Sequence, residues 1–127
     1  MPTLLVIDDN LAWRSLYRLE FERRFEVWEA CDGVEGLSLV ESVAPDQVIV
    51  DLHMPRMDGF TFLRQLRLNG CRVPVIISTS VLPEEPLPPV PCAGIVEKSP
   101  NLAALRSAVQ AALSPENRRL RSKLAGE

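Results

Sequence analysis

Histidine, tyrosine and cysteine are nearly missing from these 127 residues, with one His, one Tyr and three Cys. That scarcity argues against a metal site built from clustered Cys and His. Cys31, Cys71 and Cys92 are odd in number and widely spaced, so they read as reduced thiols rather than a disulfide framework. A strong excess of one charge sign is lacking too, with 14 Lys and Arg against 17 Asp and Glu. The net charge of −3 gives no basic surface for direct nucleic-acid binding. No apolar run approaches the ~20 residues that cross a bilayer. The N-terminus runs into strand-like residues without the basic region and cleavage site of a signal peptide. The expectation is a cytoplasmic protein off the membrane. There is no internal repeat. What is present, 46% hydrophobic and 24% charged residues, suits one soluble domain with a real core.

The chain is organised around Val48-Ile49-Val50-Asp51-Leu52-His53-Met54-Pro55-Arg56-Met57-Asp58-Gly59. Val48 to Val50 suit a strand buried on both faces. Asp51 ends that run with a carboxylate, Pro and Gly turn the chain, and Asp58 is placed to cap a helix. Open α/β sheets put ligands and chemistry at the carboxyl ends of their strands.

Around that stretch strands and helices alternate. Leu4 to Ile7 reads as a strand ended by Asp8-Asp9-Asn10. A helix follows from Leu11 to Arg24, with Ala12, Leu16 and Leu19 expected inward. Glu26 to Ala30 is the second strand. Asp32-Gly33 opens a second helix with Leu37, Val40 and Ala44 at core spacing, and Pro45 stops it. A third helix runs from Gly59 to Leu68, with Leu63 and Leu66 inward and Asn69-Gly70 as its exit. Val73 to Ser78 is the fourth strand. The next helix is missing, because Pro83, Pro86, Pro88, Pro89 and Pro91 would each cost a helix ~3 kcal/mol. An extended Pro-rich loop is expected instead. Gly94 to Glu97 is a short fifth strand ending at Lys98. Ser99-Pro100 is expected to start a final helix with Leu102, Leu105, Val109 and Ala112 inward. Trp13 and Trp28 are expected to serve packing. The pattern predicts a doubly wound, five-stranded parallel α/β sheet in the order 2-1-3-4-5. Residues 1–114 form the domain, and 115–127 a basic tail or linker stub with Arg118, Arg119, Arg121 and Lys123.

In such a sheet Asp8, Asp9 and Asp51 converge at one mouth, joined by Thr79 and Lys98 from the next two strand ends. Two carboxylates ~4 Å apart repel by about 4 kcal/mol at an effective dielectric of ~20. A hard cation relieves that, and an all-oxygen donor set favours Mg²⁺, with Mn²⁺ as an in vitro substitute. The backbone carbonyl of His53 is a further candidate ligand, while its side chain is expected at the surface. A carboxylate beside such a cation and a lysine suits attack on phosphorus. Asp51 is the nucleophile in this reading, with Lys98 and the Thr79 hydroxyl on the phosphoryl oxygens.

These residues resemble the response-regulator receiver domain of two-component signalling over 3–113. They are Asp8-Asp9, the motif from Asp51 to Gly59, Pro74-Val75-Ile76-Ile77-Ser78-Thr79, and Lys98. The resemblance implies a flavodoxin-like fold and phosphoryl transfer to Asp51 from a sensor histidine kinase or histidine phosphotransfer protein. It also implies Mg²⁺ at Asp8, Asp9 and Asp51, phosphate sensing by Thr79, a salt-bridging Lys98, an unspecified downstream protein partner and scope for a homodimer. Three departures stand out. Lys98-Ser99-Pro100 replaces the usual Lys-Pro, so a trans Lys98–Ser99 bond is expected. Ile95 stands where the family has an aromatic switch, and the helix after the fourth strand is replaced. Two other readings compete: an interaction module that works without phosphate, carrying Pro86-Leu87-Pro88-Pro89 as a polyproline ligand, and an Asp-nucleophile phosphatase of the haloacid-dehalogenase type. The latter usually wants an acid two residues after the nucleophile, where this chain has His53.

Overall fold

The computed structural model describes residues 1–84 and 92–113. The elements run β1 (Thr3–Ile7), α1 (Leu11–Phe21), β2 (Glu26–Ala30), α2 (Gly33–Val43), β3 (Gln47–Asp51), α3 (Gly59–Leu68), β4 (Val75–Thr79), β5 (Gly94–Glu97) and α4 (Ala103–Ala112). The strands form one sheet in the order β2-β1-β3-β4-β5, all neighbours parallel, as expected. Every residue of the central β3 and β4 is buried, which is why they read as unbroken apolar runs rather than alternating ones.

The two-residue side-chain period splits the core into two layers. Leu5, Ile7, Val48, Val50, Val75 and Ile77 face α2 and α3, where Val40, Phe62, Leu63 and Leu66 meet them. Leu4, Val6, Ile49 and Ile76 face α1 and α4, against Tyr17, Phe21, Leu105 and Val109. Gln47 ties the second layer together: its side-chain amide donates to the Val109 carbonyl at 3.2 Å, fully buried.

Several local expectations need correction. α1 ends at Phe21 rather than Arg24, and its inward face carries Trp13, Leu16, Tyr17 and Phe21. Ala12 and Leu19 point to solvent. Aromatic rings at four-residue spacing bury more area than the small and leucine side chains, and they set the helix phase. Ala44 is exposed and forms the left-handed C-cap of α2 at φ 52°. β4 starts at Val75, after Pro74. Ser99-Pro100 does not open α4. Its N-cap is Leu102, at φ 56°, with no side-chain cap bond. Leu102 is buried, so core packing overrides the cap preference of serine. Trp28 is 39% exposed, and its indole N–H donates to Glu26.

The Lys98–Ser99 peptide is trans, as expected. Residues 80–84, 92 and 93 form no helix. The rest of the predicted Pro-rich loop, with Pro86-Leu87-Pro88-Pro89, and the predicted tail lie outside the described residues.

Candidate functional site

The carboxyl ends of β1 and β3 are adjacent in the sheet, with Ile7 opposite Val50. The residues that follow, Asp8 and Asp9, therefore come up beside Asp51. One carboxylate oxygen from each of Asp8, Asp9 and Asp51 lies within 4.8 Å of the others. Asp8 and Asp51 are buried and Asp9 is exposed, so the cluster opens to solvent on one side. Lys98, held at the end of β5 by the hydrogen bond that its amide donates to the Thr79 carbonyl, faces the two buried acids. Its Nζ stands 2.8 Å from Asp8 Oδ2 and 3.4 Å from Asp51 Oδ2. The approach to Asp8 is an ion pair without hydrogen-bond geometry, and Asp8 Oδ2 has no hydrogen-bond partner.

The surrounding backbone fixes these side chains. The Asn10 amide donates to Asp8 Oδ1 at 2.9 Å, and Asn10 caps α1 by accepting from the Trp13 amide at 3.0 Å. Arg14 donates to the Asp8 carbonyl and is held in turn by Glu29. Asp58 caps α3 by accepting from the Thr61 amide at 2.7 Å. The Gly59 amide donates to the Leu52 carbonyl at 2.8 Å, drawing α3 against the end of β3.

Burial pushes the Asp51 carboxyl above the usual range, and the neighbouring Asp8 charge adds to it. The Lys98 ammonium and the His53 amide, 3.4 Å from Asp51 Oδ1, pull the other way. The His53 side chain is exposed, as expected. Thr79 is buried, and its hydroxyl is engaged by its own loop: it donates to the Val81 carbonyl at 2.9 Å and accepts from the Val81 amide at 3.3 Å.

The donor set fits a hard divalent cation. It is all oxygen, three carboxylates converge, and one buried carboxylate oxygen lacks a hydrogen bond. The sequence reading missed what lies behind the acids. Trp13 lays its ring under Lys98, with Nζ 5.2 Å from the ring centroid, and Tyr17 packs on Trp13 at 5.9 Å. The only available signal was their four-residue spacing in the helix after Asp8-Asp9.

Tyr17 is the source of a pH prediction. Burial pushes its phenol up to about 12, the Asp8 and Asp51 charges add to this, and the Ser78 hydroxyl offsets part. A group held above its unfolded value of 10.0 contributes stability that is whole below that pH and is lost as pH rises through about 12. The wild type should lose up to about 1.4 kcal/mol per pH unit in that window from this group. Tyr17→Phe has no proton to lose, so its melting temperature should fall less steeply there. Equal slopes for the two proteins would remove Tyr17 as the origin.

Known proteins resemble the chain in both sequence and fold. The family model of the response regulator receiver domain matches residues 4–89. The response regulator MprA of a Mycobacterium species is 43% identical over 82 residues, 63% of this chain and 36% of that protein. RpaA of Synechocystis, described as a DNA-binding dual master transcriptional regulator, is 34% identical over 84 residues, 64% of this chain and 35% of that protein. The match thus spans about a third of the length of these curated relatives. The response regulator TrrA of Thermotoga maritima, solved in complex with Mg²⁺ and BeF, superposes with a TM-score of 0.82 at 29% identity, covering 89% of this chain and 100% of that one. The signal receiver domain of a protein assigned as a LuxO repressor, from Vibrio parahaemolyticus, shares the fold, with a TM-score of 0.81 at 21% identity over 99% of this chain and 98% of that one. Fold, site geometry and the match over residues 4–89 agree: the chain belongs to the response regulator receiver domain family of two-component signalling.

Proposed function

We propose that the chain is a phosphoacceptor switch, in which Asp51 takes a phosphoryl group from a phosphohistidine on a sensor histidine kinase or histidine phosphotransfer protein. The observation that carries this reading is the meeting of Asp8, Asp9 and Asp51 within 4.8 Å, with Lys98 facing the two buried acids. A carboxylate oxygen of Asp51 attacks phosphorus, the bond from phosphorus to the imidazole nitrogen breaks, and the histidine leaves with the electron pair. Asp8, Asp9, Asp51 and the His53 carbonyl would hold Mg²⁺, or Mn²⁺ in vitro. Bound there, the ion supplies neutralising charge for the acids and the transferring group. Lys98 pairs with a second phosphoryl oxygen. Thr79 exchanges its bond to the Val81 carbonyl for a third, which repositions the 79–81 loop and changes the surface offered to a downstream protein. Residues 1–114 form this unit in the proposal, with 115–127 as tail or linker.

Incubation with phosphoramidate or acetyl phosphate and Mg²⁺ tests it. Wild type should gain about 80 Da, one phosphoryl group, by intact mass, and Asp51→Asn none. No gain in the wild type beside a working receiver control, or equal gain in Asp51→Asn, would reject Asp51 as the acceptor.

A further inference from the structure

We propose that Trp13 is a positioning residue for Lys98, holding the ammonium where it can meet the phosphoryl group on Asp51; this rests on the phosphoacceptor reading above. The Lys98 side chain is 5% exposed and has three neighbours of note: Asp8 at 2.8 Å, Asp51 at 3.4 Å and the face of Trp13 at 5.2 Å. The carboxylates are unreliable anchors during the reaction, because a bound cation and a phosphoryl group both compete for them. The indole face is neither titrated nor drawn to a cation site, so its attraction for the ammonium persists through the cycle. Its place is also fixed relative to the acids. The Trp13 amide is held by Asn10, the Asn10 amide is held by Asp8, and the ring rests against Tyr17. The void beside Lys98, lined by Tyr17, Ser78 and Leu102, is about 10 Å³ and has room for about one water, so the side chain cannot retreat there. Trp13 therefore sets the height of the ammonium above the acids.

The test separates ring electronics from bulk. In phosphorylation by phosphoramidate with Mg²⁺, Trp13→Leu should slow the rate constant about fivefold and Trp13→Phe less. Mg²⁺ affinity, read by titration without donor, should stay within about twofold, because the hydrogen-bonded link from Trp13 to Asp8 runs through its backbone amide and Asn10, which the substitutions keep. A residue that only fills space would shift melting temperature and Mg²⁺ affinity together and would not rank Phe above Leu. A second measurement does not depend on those variants folding. In a Trp28→Phe background, Trp13 is the sole tryptophan, and incorporating fluorinated tryptophans weakens the ring face at constant shape. The rate should fall with each added fluorine. A rate indifferent to fluorination, or Leu equal to wild type, overturns the role of Trp13 alone. A wild type that takes no phosphoryl group overturns the parent reading and this role with it.

Discussion

Lys98→Met, measured without divalent cation, is expected to lose about 3 kcal/mol of unfolding free energy, the range for leaving buried charge uncompensated. The Lys98, Asp8 and Asp51 side chains are 5%, 1% and 9% exposed, so solvent screens them little. Arg14 offers no substitute. It is committed to Glu29 and to the Asp8 carbonyl rather than the carboxylate. Removing Lys98 also removes a major influence holding the Asp51 carboxyl down, so Asp51 moves further up and sheds part of the cost by staying protonated to higher pH. Two companions sharpen the result. Mg²⁺ should restore much of the lost stability, since a cation at the acids replaces the ammonium charge. Asp8→Asn combined with Lys98→Met should be more stable than Lys98→Met alone. Chemical denaturation reads all three. A loss below about 1 kcal/mol, the range of an exposed ion pair, would mean that the acids are compensated by something else.

Gly59→Ala is expected to destabilise by about 2–3 kcal/mol through overpacking. A Cβ at Gly59 would stand 2.8 Å from the Asp51 carbonyl oxygen and 3.0 Å from the Leu52 Cα. Both are backbone atoms at the end of the central strand, so neither has a rotamer by which to yield. Either α3 backs away and stretches the bond from the Gly59 amide to the Leu52 carbonyl, or the strand end that carries Asp51 shifts. Gly33→Ala is the control. Its Cβ would meet the Met57 sulfur at 2.7 Å, and an unbranched thioether can swing aside. The two alanine variants compared by thermal melts should therefore differ widely. Similar losses at both positions would refute the argument from backbone against side chain.

Four of the five strands were legible because they are short apolar runs closed by a polar residue, whereas β2, Glu26-Val27-Trp28-Glu29-Ala30, shows only alternation around Val27. Val48 to Asp51 needs no tertiary context to read as a buried strand with an acid at its mouth. The acidic cluster followed from strand order, since adjacency of the first and third strands brings Asp8 and Asp9 beside Asp51. Contacts that depend on helix rotation were harder to read. Counting leucines put Leu19 inside, whereas the rings of Trp13, Tyr17 and Phe21 set the phase and leave Leu19 70% exposed. The same rotation carries Trp13 under Lys98, a pairing between residues 85 positions apart that no local pattern announces. At α4 a local rule lost to packing. Ser99-Pro100 has cap chemistry, but Leu102 takes a left-handed backbone to bury its side chain. Thr79 was read from its place at a strand end, whereas the engagement of its hydroxyl by Val81 depends on how the following loop folds back.

The amide that Gln47 gives to the Val109 carbonyl makes the molecule's two poles share a rod. The residue that grips the closing helix and the aspartate at the opposite rim are first and last in one five-residue strand. That strand is laddered on both sides, to β1 and to β4, so the aspartate and the glutamine that grips α4 keep a fixed separation along it.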